Sequence, residues 1–271
     1  MVELMGIPKE KFVCVSQPTF LNQVYVPDSC FVRDIQFKCN RYTREYQNLF
    51  QRLPKIENLN NFKNNLNNLN NFKKIYLSRT KMNQIGKDFN EIDLENLFKQ
   101  QGFSIVYPEK ISFKEALFLY QNCHTFAATD GSIGHNVLFC QNVKNVLILR
   151  KCKQFTDYQM AANSFVQNFA HIYFIDVGFS PLSDLKKGWW GGPFFLYQSF
   201  YLRSYVHLKP KMFPYFKFIK YILFCYRSYF SFSFYFKKLN LFYHFLRGKL
   251  KVRARFQKIK KAIQSIFPRS T

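Results

Sequence analysis

The middle of the chain alternates short apolar runs with helical periodicities. Residues 74–78 form a β-rich run, after which Ile92, Leu94, Leu97 and Phe98 recur at helical intervals and predict a helix over 90–101 with Asn90 as its N-cap. Gly102 ends that helix. A second strand over 103–107 closes at Pro108, Ser112 caps a helix running to Tyr120, and residues 125–129 give a third strand. The run Asp130-Gly131-Ser132-Ile133-Gly134-His135-Asn136 follows, ahead of a short helix over 136–141 and a fourth strand over 143–149. Such a series predicts an α/β fold, a parallel sheet with helices on both faces.

Ligands of open parallel sheets sit beyond the carboxyl ends of the strands, and a glycine-bearing loop entering a helix offers backbone N–H groups to phosphate. Residues 130–136 are therefore the expected diphosphate contact. They match neither the dinucleotide nor the P-loop glycine pattern, and a plain tight turn accounts for them equally well. Arg79 ends the first strand on the same side and cannot deprotonate, which suits a phosphate; an ordinary surface arginine is the alternative. Capping explains Asn90 and Glu91 as well as ligand recognition does. His135 is a candidate phosphate contact or acid/base group, against a merely solvated histidine at a helix start.

Several short motifs occur in a fixed order: Tyr76-Leu77-Ser78-Arg79, Asn90-Glu91, Gly102-Phe103, Pro108-Glu109, Ser112-Phe113-Lys114-Glu115, and Gly131-Ser132 with Asn136-Val137-Leu138-Phe139. In that order and spacing the segment resembles the family 61 glycosyltransferases, including bacterial capsular-polysaccharide-biosynthesis-like members. Gly6-Ile7-Pro8, Tyr25-Val26-Pro27, Tyr173-Phe174-Ile175-Asp176 and Gly192-Pro193-Phe194 extend the similarity weakly over roughly 4–205. The resemblance implies the Rossmann-like C-terminal (donor) half of a GT-B enzyme, a hexosyl- or pentosyltransferase. It implies inverting, metal-independent transfer from a nucleotide sugar, UDP-linked by expectation, to a glycan acceptor in surface polysaccharide, capsule or lipooligosaccharide synthesis. The chain contains no Asp-x-Asp motif. No cofactor and no metal are expected, and no catalytic base is identified. The donor-binding set so implied is Arg79, Lys87, Asn90, Glu91, Glu115, Asp130, Gly131, Ser132, Gly134, His135 and Asn136, with Glu115 toward ribose hydroxyls. Three positions depart from the family pattern: Lys87 stands for a second arginine, Asp130 for a histidine and Ala116 for a glutamine. A lysine lacks the arginine fork, and Asp130 adds negative charge near the phosphates, so weakened donor affinity is expected.

The similarity begins at the tail of the family's first domain. Residues 1–56 are thus expected to be a remnant of that domain and the interdomain crossing, with a helix over 1–4 and a strand over 12–15, in a form either truncated or split from a separately encoded N-terminal half. Residues 57–74 repeat Asn-Leu-Asn-Asn; Leu59, Phe62, Leu66, Leu69 and Phe72 suit one helix face, and a flexible linker explains them equally. The nucleotide-sugar domain is expected over 75–184, leaving 185–271 as a basic, aromatic, helical region.

Charge changes the picture of that last region. The net charge is +24, yet residues 185–271 hold 19 Lys and Arg and no carboxylate. At 100° per residue Lys217, Lys220, Arg227 and Lys238 fall within about 80° of one another, opposite Phe218, Ile222, Tyr229 and Phe236. A basic amphipathic helix on an anionic membrane surface follows, reinforced by the basic run 247–261; packing of part of 195–245 onto the core is the alternative. No uninterrupted apolar run is long enough to span a bilayer. No nucleic-acid recognition module accompanies the basic residues, so nucleic acid is not the expected partner. Seven cysteines show no metal-ligand spacing, and their odd number without a signal peptide favours reduced thiols in a cytoplasmic protein, which the basic region is expected to hold peripherally on the inner face of the plasma membrane. The competing function is a non-catalytic remnant that binds membrane or a partner chain through the basic region.

Overall fold

The computed structural model describes residues 8–11, 16–18, 20, 23, 31–34, 39–56, 72–82, 88–152, 157–180 and 193–229. The chain divides into two compact units, Met1–Pro214 and Tyr215–Thr271.

In the first unit an antiparallel hairpin, β1 (Phe31–Asp34) and β2 (Cys39–Tyr42), leads into α1 (Arg44–Gln51). The alternating series follows as β3 (Lys74–Leu77), β4 (Asp88–Phe89), α2 (Glu91–Gln100), β5 (Ser104–Val106), α3 (Phe113–Asn122), β6 (Thr125–Thr129) and β7 (Asn145–Arg150). Then come α4 (Asp157–Asn163), β8 (His171–Asp176), β9 (Gly178–Phe179), β10 (Phe194–Leu196) and α5 (Phe200–Tyr205). Five strands form one parallel sheet in the order β5-β3-β6-β7-β8, a Rossmann-like arrangement. A small second sheet has the order β4-β10-β9.

The central strands are buried on both faces, which is why they read as unbroken apolar runs. Ile75, Leu77, Phe126, Ala128, Val146 and Ile148 face one apolar layer with Phe118 and Leu119 of α3. Tyr76, Ala127, Leu147, Leu149 and Ile175 face the other, with Leu94, Leu97 and Phe98 of α2. Each fully buried leucine or phenylalanine contributes about 1.5–3 kcal/mol. Tyr76 stacks on Phe98 with ring centroids 4.5 Å apart. The unit runs past the boundary expected after Asp184, because Phe194, Leu196 and Leu202 complete the α2 layer. Residues 50–56 are integral to it as well: Phe50 packs on Phe139 and Phe165, and Gln121 donates to Pro54 O while accepting from Ile56 N–H.

Four local expectations change. The helix over 136–141 is a 3-10 segment, Gly134–Phe139, whose N–H groups at Asn136 and Cys140 reach back three residues to Ile133 O and Val137 O. Asn90 occupies the N-cap position of α2 in the left-handed conformation (φ 65°) without a side-chain cap; its amide donates to Leu196 O at 2.8 Å. Ile92 is 46 % exposed, because α2 turns Leu94, Leu97 and Phe98 inward instead. The fourth strand starts at Asn145, since Lys144 and Asn145 N–H groups both bond to His124 O. The expectations at 1–4, 12–15 and most of 57–74 lie outside the described residues. Phe72 is described and packs on Phe118. Cys123, Cys140, Cys152 and Cys225 are free thiols.

In the second unit α6 spans Tyr215–Tyr229. Of the aromatic stripe expected to be its outer apolar face, Phe218 is buried, as are Tyr221 and Cys225, and Ile222 is half-buried. Phe216, Ile219 and Leu223, one turn apart, are 86 %, 54 % and 61 % exposed. Lys217 and Lys220 are exposed beside them. Lys238 and Phe236 lie outside the described residues. Among the described residues no helix is long and apolar enough to cross a membrane.

Candidate functional site

From β3 the chain crosses one way to β5 and then back to β6, so the sheet has its topological switch point between β3 and β6. The crevice outside the carboxyl ends of those two strands is the general ligand position of such sheets. Arg79 follows β3 there, and Asp130 and Gly131 follow β6. The bend carrying Arg79 is fixed by a hydroxyl network. Glu95 on α2 accepts from Thr80 Oγ1 (2.6 Å), Ser78 Oγ (2.9 Å) and Tyr107 OH (2.7 Å). Burial pushes the Glu95 carboxyl up, but these hydroxyls outweigh it and hold the group below its ordinary range.

A cleft of about 270 Å³ opens between this bend and the start of α2, lined by Arg79, Thr80, Met82, Asp88, Asn90, Glu91 and Ile92. Glu91 is 3 % exposed and accepts at Oε1 from both Arg79 N–H and Tyr76 OH, each at 3.1 Å. Burial raises its pKa to about 7, with Asp88 adding to the rise and the Arg79 amide, Tyr76 and Lys151 opposing it. It therefore changes charge near neutrality. Arg79 Nε lies against Met82 Sδ at 3.4 Å. Asp88 pairs with Lys151 Nζ at 3.4 Å. A larger groove of about 590 Å³ runs along α2 past Lys99 and Gln100 to Arg203 and Lys211. It shares no lining residue with the cleft.

The glycine turn is differently made than expected. Gly134 and His135 N–H both donate to Gly131 O, and Asn136 N–H donates to Ile133 O, so those amides close the turn on itself. The Asn136 side chain likewise donates to Ile133 O. Ser132 is exposed, Asp130 is buried, and Gly134 is wedged against Gln159, whose amide donates to Gly134 O. Burial holds His135 below its ordinary pKa, with Asp130 opposing. Glu115 closes a capping box with Ser112 at the start of α3, its Oε2 accepting from Ser112 N–H at 2.6 Å. Lys87 lies outside the described residues.

Arg79, Asn90 and Glu91 thus share one cleft, while the 130–136 turn stands on the neighbouring strand end. Lys151, which the sequence reading did not single out, links the two. It follows β7 directly, pairs with Asp88 of the cleft, and a β-carbon placed on Gly131 would lie 3.8 Å from its Nζ. Its signal was positional: it stands just beyond the carboxyl end of a buried strand, as Arg79 does. Among the described residues no group of three or more His, Cys, Asp or Glu is arranged to hold a metal ion.

No curated protein matches the chain. The family description that does match, glycosyltransferase 61, covers residues 1–147, from the N-terminus through β3, the cleft, the glycine turn and into β7. With more than half its length matched, the chain belongs to glycosyltransferase family 61.

Proposed function

We propose that the chain binds the nucleoside diphosphate of a UDP-linked sugar at the β3/β6 crevice and serves as the donor half of an inverting, metal-independent GT-B glycosyltransferase. The acceptor is a glycan of surface polysaccharide, capsule or lipooligosaccharide. The observation that carries this reading is Arg79, a permanent cation held on a hydroxyl-braced bend at the switch point and lining the same cleft as Asn90 and Glu91. Arg79 meets a phosphate, and Glu91 fixes the Arg79 backbone while its neutral form spares the anion a like charge. Glu115, oriented by its capping box, and the Asp130–Asn136 turn flank the nucleotide, with Lys87 as a further cation. The exposed Phe216, Ile219 and Leu223 beside Lys217 and Lys220 support a peripheral position on an anionic membrane surface.

Saturation-transfer NMR against UDP, GDP and CMP and their sugar conjugates tests the site. The expected result is selective binding of one nucleoside diphosphate, weakened at least about tenfold in Arg79→Ala, as loss of a charge-assisted phosphate contact should do. No binding by a folded chain would overturn the donor-site reading in favour of a non-catalytic, membrane-binding protein.

A further inference from the structure

Lys151 is buried to a degree unusual for a lysine, its side chain 12 % exposed and that of Asp88 8 %. Its backbone is pressed against Gly178, where any β-carbon would collide with the Lys151 carbonyl. Its ammonium lies 4.9 Å from the Phe194 ring centroid. Among the described residues this buried cation is incompletely paired. The Asp88 contact is 3.4 Å, longer than the ~2.7–2.9 Å of a strong charge-assisted hydrogen bond, and Asp88 Oδ1 is buried with no hydrogen-bond partner among the described residues. An ammonium carries three donors, and Asp88 takes one. Buried polar groups are ordinarily satisfied, and a half-satisfied pair beside a ligand crevice has the character of a site waiting for its ligand.

Resting on the donor-site reading above, we propose that Lys151 is a second diphosphate-binding cation, held by Asp88 in the free protein and transferred to a phosphate oxygen on binding. Arg79 leaves the end of β3 and Lys151 the end of β7, on either side of β6 and its Gly131 turn. Two phosphates bridging that interval meet one cation each. Gly131 faces the Lys151 ammonium without a side chain, leaving that approach open. Asp88 competes with the ligand for the same ammonium.

Titration calorimetry with inorganic pyrophosphate, which lacks hydroxyl donors and a base, isolates this contact. Lys151→Met is expected to weaken binding about tenfold or more, Lys151→Arg to retain most of it, and Asp88→Asn to tighten it several-fold by removing the competitor. An unchanged affinity in Lys151→Met overturns the proposal. So does weaker binding in Asp88→Asn, the mark of a pair that only braces the fold. If Lys151→Met does not melt cooperatively, Asp88→Asn still decides, because the proposal has it tighten pyrophosphate binding and a structural brace has it weaken it. Loss of pyrophosphate binding in Arg79→Ala without change in Lys151→Met sinks this inference and leaves the donor site standing. Failure of the wild-type chain to bind pyrophosphate, UDP or GDP sinks both.

Discussion

Glu91 is the residue whose chemistry the fold alters most. A carboxyl buried under Tyr76 and the Arg79 amide, beside Asp88, has its pKa raised to about 7. Between the ordinary glutamate value and that raised one, the folded chain holds a proton that the unfolded chain has released. Stability therefore falls as pH rises through this window and does not recover above it. Glu91→Gln keeps an acceptor for both donors and cannot ionise. It should match the wild type in stability at pH 4 and exceed it by roughly 1–3 kcal/mol at pH 8, read from urea melts at the two pH values. An equal difference at both would mean that Glu91 is not titrating there. The Glu91 position was legible as a helix start, but its titration was not, since it comes from burial, with Asp88 beside it, that exists only in the folded chain. Lys151 had only its place after a buried strand as a signal, because its partner Asp88 lies 63 residues away.

At the scale of elements, what repeats locally was readable and what pairs at long range was not. The strands at 74–78 and 125–129 and helices α2 and α3 follow from buried apolar runs and helical spacing, and the Ser112–Glu115 capping box is a local pattern. The small sheet had no such signal. β4 and β10 are two and three residues long, too short for any period, and pair Asp88 with Phe194 across the whole domain. The left-handed turn at Asn90 is fixed by Leu196 of that same strand. Among the described residues the cleft is lined by members of 79–92 alone, but β10 holds two of them in place by pairing with Asp88 and accepting from Asn90, which is why Arg79 was readable in the sequence and the cleft's shape was not. Gly178 tests whether they position the site. Gly178→Ala should cost about 1–3 kcal/mol by overpacking and also weaken pyrophosphate binding as Lys151 shifts. Gly102→Ala, at φ +74° with open space around it, should cost about 1–2 kcal/mol in backbone strain alone and leave binding unchanged. Thermal melts paired with calorimetry separate the two. Equal binding losses would make the Gly178 effect general destabilisation.

For the whole molecule, charge is divided more sharply than fold. All 16 carboxylates lie within residues 1–184, and the second unit, Tyr215–Thr271, carries fourteen Lys and Arg and none. A surface this one-sided attracts anions at long range, and each basic residue close to an acidic bilayer adds roughly 1 kcal/mol, screened over about 8 Å at physiological salt. Charge alone would make binding reversible by salt. The structure adds a hydrophobic component in a place other than the sequence pattern indicated: Phe216, Ile219 and Leu223 of α6 are exposed, whereas Phe218 is buried. Replacing the three with Gln removes the inserting face but keeps every charge. Cosedimentation with phosphatidylglycerol-containing vesicles should then show a two-component loss: wild-type binding partly resistant to 0.5 M salt, and triple-variant binding abolished by it. Phosphatidylcholine vesicles should retain little of either protein. Equal salt sensitivity in both proteins would assign the attachment to charge alone and remove α6 from the interface, while replacement of Phe218, a buried residue, should lower the melting temperature before it alters vesicle binding.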